Sequence, residues 1–267
     1  MEKNISLPDD LQNFKEVFEK TRKSFLRIIN KQGESVEIWQ SKFAGMPYLP
    51  YGVEYPKDSE GKYLYLAAQI NFEEIPPLAY LPKKGILQFY IADNDLYGLD
   101  FDNQASQKDF RVLFFPEIDK ESFQRDLPEL PEPEFTPFDE FFKAQKLEFI
   151  VKEEYAGISD ANLEYVMGEK LEEFEKVIEK DNYKLADWIS EHISNAGHKI
   201  GGYADFVQED PRKYDEEKLK KYNTLLLQID TSNGICWGDM GVANFFIDAE
   251  KLKNSDFSDV MYNWDCG

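Results

Sequence analysis

Cysteine and histidine are nearly missing from this chain, with two of each in 267 residues. Cys236 and Cys266 show no Cys-x-x-Cys spacing, and His192 and His198 show no His-x-x-x-His spacing. A zinc site would therefore need carboxylate help, and neither a metal nor a cofactor is expected. A chain of this length needs no disulfide to hold a core. Long apolar runs are also missing: nothing approaches 18 consecutive apolar residues, so no helical span is expected. The start, Met1-Glu2-Lys3-Asn4, lacks the basic-then-apolar pattern of a secretory leader, and the expected location is the cytoplasm. Positive charge is scarce, 31 Lys and Arg against 52 Asp and Glu, for a net charge of −21. Such a balance repels phosphate, and the densest basic run, 218–221, directly follows Asp215, Glu216 and Glu217. Nucleic acid is thus not an expected partner. The phosphate loop ending in Lys-Ser/Thr, the G-x-G-x-x-G turn and the G-x-S-x-G elbow are all missing.

Aromatic side chains are plentiful, 21 Phe and 15 Tyr, enough for a large core. The apolar residues Leu11, Phe14, Val17, Phe18, Thr21, Phe25, Ile28 and Ile29 recur at helical spacing, which predicts an N-terminal helix over 9–32 stopped by Gly33. Residues 63–70, 85–91 and 110–115 are short, aromatic and β-branched runs between turn-forming clusters, and read as strands. Five of the thirteen prolines fall in 116–137, which reads as an extended connector. An acidic helical insert is expected over 138–195, with helices at 159–180 and 185–193. Residues 117–181 hold 20 acidic and 8 basic side chains, more than half of the net charge.

The chain also repeats itself. Lys42-Phe43-Ala44-Gly45-Met46 echoes Lys199-Ile200-Gly201-Gly202-Tyr203, and Leu66-Ala67-Ala68-Gln69-Ile70-Asn71 echoes Leu225-Leu226-Leu227-Gln228-Ile229-Asp230. Gly85-Ile86-Leu87-Gln88-Phe89-Tyr90-Ile91 echoes Gly241-Val242-Ala243-Asn244-Phe245-Phe246-Ile247. The offsets are 157, 159 and 156 residues, too long for a solenoid. Two halves, at about 41–116 and 198–267, are expected within one domain spanning 1–267. The expected fold is α+β: a duplicated β-rich core of two related sheets, with the N-terminal helix on one side and the helical insert between the halves.

The same residues carry a resemblance. Ser41-Lys42, Gly45-Met46-Pro47, Gln69-Ile70-Asn71, Gly85, Phe89-Tyr90, His198-Lys199-Ile200-Gly201-Gly202, 225–230 and Trp237-Gly238-Asp239-Met240-Gly241 together resemble the YwqG-like family of bacterial proteins. Ala44 stands where that family often has a second glycine. The family is classed as a domain of unknown function; the resemblance implies a compact, mostly β fold with flanking helices and no established reaction.

Candidate site residues lie in the second half. His198 sits among glycines in backbone that can approach a ligand closely, and Trp237-Gly238-Asp239 offers an aromatic platform and a carboxylate before a strand. Gln228 and Asp230 lie on the neighbouring strand. At the matching positions of the first half stand Ser41 and Leu81-Pro82-Lys83, so these polar groups belong to one half only. Gln69 and Gln228, present in both halves, read as buried amides bridging backbone groups. Asp93-Asn94-Asp95-Leu96-Tyr97-Gly98 has part of a calcium-loop pattern but lacks ligands at Tyr97 and Gln104, and reads as a hairpin turn. The leading expectation is a binding module whose acidic, aromatic-rich surface recognises a basic protein. The alternative is a small-molecule hydrolase using His198 with Asp239 or Asp230. An enzyme would bring His198 and a carboxylate together in one pocket; a binding module would not.

Overall fold

The computed structural model describes residues 5–180 and 182–267, so residues 1–4, where the leader pattern is missing, lie outside it. Its centre is one antiparallel sheet of ten strands. In chain order these are β1 (Lys23–Lys31), β2 (Lys42–Phe43), β3 (Tyr65–Asn71), β4 (Ile86–Ile91), β5 (Phe110–Phe115), β6 (Gln145–Glu154), β7 (Lys199–Gly201), β8 (Thr224–Asp230), β9 (Val242–Ile247) and β10 (Val260–Asp265). Spatially they run β10-β9-β8-β7-β1-β6-β2-β3-β4-β5. The sheet curls until its ends meet. Tyr262 N–H on β10 donates to Gln104 C=O in the β4–β5 loop at 2.8 Å, and Phe110 meets Tyr262 ring to ring at 5.2 Å. Phe89 and Phe245 touch across the interior at 4.8 Å, so both strand groups bury their inner faces in one core.

This corrects the expected α+β fold with two related sheets. The single sheet is continuous because β1 and β6 pair along nine residues, from Lys23↔Glu154 to Lys31↔Lys146, while β7 and β2 hydrogen-bond to their outer sides. Both central strands fall where helix was expected. The N-terminal helix stops at α1 (Lys15–Lys20), after a 3-10 turn over Asp9–Phe14. Thr21 ends it: its hydroxyl donates to Phe18 C=O at 2.7 Å and accepts from Ala156 N–H at 3.0 Å, and Tyr203 Oη donates to the Thr21 carbonyl at 2.6 Å. Phe25, Ile28 and Ile29 fit a helical stripe, but they continue as a strand whose ladder satisfies the backbone on both sides.

The acidic insert likewise contains β6. Its first residues alternate, Gln145 and Leu147 buried and Lys146 and Glu148 not, while residues 150–153 are exposed on both faces. Only the later part is helical: α2 (Ala161–Met167), α3 (Leu171–Lys180) and α4 (Lys184–His192). Asp160 caps α2 by accepting from Asn162 N–H, and Gly168, at φ +52°, breaks the expected single helix. These helices pack on Leu11, Phe14 and Phe18 in a second core beside the sheet. Residues 116–144 contain no helix or ladder strand. Two short helices, α5 (Glu216–Lys221) and α6 (Ala249–Lys253), flank the last strands. No helix among the described residues is long and apolar enough to cross a membrane.

The two strand groups share a register. Lys42 pairs with Gln69 as Lys199 pairs with Gln228, and bulges fall at Leu66/Ala68 and at Leu225/Leu227. Gln69 donates to the carbonyls of Ile38 and Gln40 and accepts from Tyr48 N–H. Gln228 donates to those of Asn195 and Gly197 and accepts from Asp205 N–H. Each amide thus anchors the loop that leads into β2 or β7.

Candidate functional site

Three of the five candidate residues meet at the entry to β7. His198 is 4% exposed and packs edge-on against Phe43 at 5.1 Å. Its Nδ1 lies 2.9 Å from Asp230 N–H, which can only donate, so Nδ1 carries the lone pair. The proton of the neutral ring is therefore on Nε2, which donates to Ser232 Oγ at 2.8 Å. Burial, helped by the Arg27 guanidinium, holds the imidazole pKa down to about 4. The Asp230 carboxylate faces elsewhere: Oδ1 accepts from Thr231 N–H at 2.7 Å and Oδ2 from Gly197 N–H. No carboxylate among the described residues hydrogen-bonds the ring.

The other two candidates lie apart. Trp237 is fully buried against Tyr97 at 5.4 Å; its carbonyl accepts from Gly241 N–H, closing the turn, and its indole N–H meets no acceptor among the described residues. Asp239 is exposed on the outside of that turn, where its carbonyl accepts from Gly267 N–H at 3.0 Å. Cys236 and Cys266 are free thiols. Among the described residues no group of three or more His, Cys, Asp or Glu side chains is placed to hold a metal ion. In the 93–98 segment, Asn94 Oδ1 accepts from Leu96 and Gly98 N–H, which is turn chemistry.

Two features of the site were missed in the sequence. The first is a pair of buried lysines in matched register. Lys199 Nζ lies 3.0 and 2.9 Å from the two oxygens of Glu154 on β6, whose Oε1 also accepts from Tyr203 N–H. Burial pulls the lysine pKa down and pushes the carboxyl pKa up, while their contact opposes both shifts. A Cβ on Gly202 would lie 2.0 Å from that Oε1, and φ is +77°, so only glycine fits. Lys42 is 2% exposed and donates to Ile38 C=O at 2.8 Å; burial lowers its pKa to about 7, against a weaker opposing pull from Glu74.

The second is a cavity of about 310 Å³ beyond the end of β7, between the first residues of β1 and β8. Lys23, Ser24, Tyr80, Gly201, Thr224 and Leu252 line it. Tyr80 reaches in from the β3–β4 loop and donates to Ser24 C=O at 3.1 Å, a position open only because Gly201 has no side chain. The Gly-Gly pair was the one sequence signal for this opening; the tyrosine could be placed only by the fold.

The chain belongs to the DUF1963 family, described as a domain of unknown function, whose match covers residues 41–266. No curated protein matches the chain.

Proposed function

We propose that this DUF1963 member is a cytoplasmic binding module of the YwqG-like type that holds a basic protein against its acidic surface. The state of His198 carries that reading. A general base needs an open lone pair facing the proton it takes. Here the lone pair is held by a backbone amide, the proton already points at Ser232, and both Asp230 oxygens cap amides. This bonding of His198 and Asp230 favours the binding reading over the hydrolase alternative.

The surface supports recognition by charge. Glu172, Glu173, Glu175 and Glu179 are exposed on α3, and Glu117, Asp119, Glu121, Asp126, Glu129, Glu132 and Glu134 are exposed along the connector. Tyr165 and Tyr183, each 56% exposed, stand on α2 and before α4 and supply aromatic contact area. A field of one sign speeds encounter with an oppositely charged partner and fades as salt shortens the Debye length. The test is capture from native cytosol by the wild-type chain and by a variant with Glu169, Glu172, Glu173, Glu175 and Glu179 all changed to Gln. A basic protein held at low salt, released at high salt and not held by the variant supports the proposal. Equal capture by both chains, or no basic protein on either, overturns it.

A further inference from the structure

Lys42 and Lys199 stand at matched positions of the repeat and differ in one partner. Each begins a short strand, pairs with a buried glutamine, and runs into two residues of positive φ. These are Ala44 and Gly45 at +53° and +71°, and Gly201 and Gly202 at +74° and +77°. The loops that follow are tethered alike, Tyr48 N–H on Gln69 and Asp205 N–H on Gln228. In the second loop the Glu154 carboxylate takes both Lys199 Nζ and, at 2.6 Å, Tyr203 N–H. The matching donors of the first loop are Lys42 Nζ and Met46 N–H. Among the described residues no carboxylate lies within ion-pair reach of Lys42. Glu74 is turned to Ser41 N–H at 2.7 Å, and Lys42 donates to Ile38 C=O instead. Met46 stands outside every strand and helix, and its N–H meets no acceptor among the described residues. The ladders explain the difference. Phe25 pairs with Gly201 on one side and Lys152 on the other, and Glu154 is two residues further along β6. For Lys42 the strand in that place is β1, which ends at Lys31 opposite Lys146 and turns at Gln32-Gly33 before it reaches so far.

Ile38 and Met46 also line a cavity of about 530 Å³, a volume ordinary for a small ligand. Its other walls are unusual for a chain of net charge −21. Trp39 and Phe123 meet there edge-on at 6.1 Å, with Lys120 over the first ring at 5.6 Å and Arg125 over the second at 4.5 Å. Both cations are exposed, and neither forms an ion pair among the described residues. Glu37 lines the cavity too, with its side chain in water. Rings with two cations beside a buried ammonium and a backbone donor are the chemistry of an organic anion site. We infer that this cavity binds a small aromatic carboxylate, whose oxygens bridge Lys42 Nζ and Met46 N–H as Glu154 bridges Lys199 Nζ and Tyr203 N–H, and whose ring lies against Trp39 and Phe123. A buried cation without an anionic partner costs stability, and such costs gather at binding sites. The cavity takes an anion where the acidic surface takes a cation, so either activity can fail without the other.

The probes are 3-phenylpropionate, its neutral amide 3-phenylpropionamide, and propionate, which lacks the ring. Each is titrated by NMR into the full chain in about 0.15 M salt, which screens exposed charges more than buried ones. The expected result is shifts at the amides of Trp39 and Met46 with 3-phenylpropionate. Its affinity should exceed that of either other probe by at least about tenfold, the worth of a charge-assisted hydrogen bond or of one buried ring. Lys42→Met should weaken its binding at least about tenfold, and Lys42→Gln decides the matter if the methionine variant folds poorly. Lys120→Gln together with Arg125→Gln should weaken it only a few-fold, because both cations are exposed. No binding, shifts elsewhere, or binding unchanged by the Lys42 variants overturns the inference. Equal binding of the amide overturns the carboxylate assignment, and equal binding of propionate overturns the aromatic one.

Discussion

Removing the charge of Lys42 should make the protein more stable. The lysine sits in the sheet with its ammonium out of water and one carbonyl in reach, so its pKa falls from 10.5 to about 7. Because the folded pKa is depressed, the unfolded state binds more protons between those two values. Stability therefore rises with pH across that window, and below about pH 7 the full cost of the buried charge is present. At about 1.4 kcal/mol per unit, the linkage amounts to roughly 4 kcal/mol near pH 7 and roughly 2 kcal/mol at pH 9. Lys42→Met removes this cost and forfeits one hydrogen bond, worth about 1 kcal/mol. Ile38 C=O keeps the bond from the Gln69 amide, and exposed Glu74 remains in water, so the variant strands no partner. The expected gain is about 3 kcal/mol at pH 7, or a midpoint rise of roughly 6–12 °C, shrinking to about 1 kcal/mol at pH 9. Urea unfolding of both chains at the two pH values measures it. A variant no more stable than wild type at pH 7, or a difference that does not change with pH, would refute the reasoning.

Two further outcomes follow from the same site. Lys199→Met, at the matched position, should destabilise by about 3 kcal/mol, the opposite sign, because it leaves Glu154 buried without its cation; urea midpoints at pH 7 compare the two methionine variants directly, and a stabilised Lys199→Met would contradict the account. His198 should stay neutral in the folded chain until the pH nears 4, with the proton on Nε2. Since this folded pKa is depressed below 6.5, stability should fall by up to about 3 kcal/mol between pH 6.5 and 4, a loss missing from His198→Phe. Ring nitrogen NMR reads both points, and an ordinary titration near 6.5 would show the burial argument to be wrong.

The strands with turn chemistry around them were legible in the sequence, and so was the bridging role of Gln69 and Gln228. The central pair β1 and β6 was not. Phe25, Ile28 and Ile29 satisfy both helical and strand periodicity, and only the ladders on either side of β1 decide between them. In β6 the charges counted to the acidic helical insert stand on a strand, exposed on both faces over 150–153. At the site, His198, Gln228 and Asp230 lie together, because they flank one glycine-rich entry. Trp237 and Asp239 were adjacent only along the chain: the turn sends one inward and the other outward. Lys42 and Lys199 were quoted as part of a repeat, but nothing in a sequence tells a buried lysine from a surface one. Tyr80 reaches the cavity from a loop some 120 residues before the Gly-Gly pair, which only the curl of the sheet brings close.

The place of β1 also bears on how the protein is made. Its residues 23–31 leave the ribosome well before both neighbours, β6 at 145–154 and β7 at 199–201. At about 5–20 residues per second, β6 is completed roughly 6–25 s after β1. Throughout that interval a nine-residue strand has neither edge paired, a template for any other extended chain nearby. The early helix beside it cannot shield it, because the helices it packs against, 161–192, are also still to come. Newly made chains should thus be most prone to association before residue 154 emerges, and a circular permutant beginning near residue 140 would make β6 first and shorten the wait.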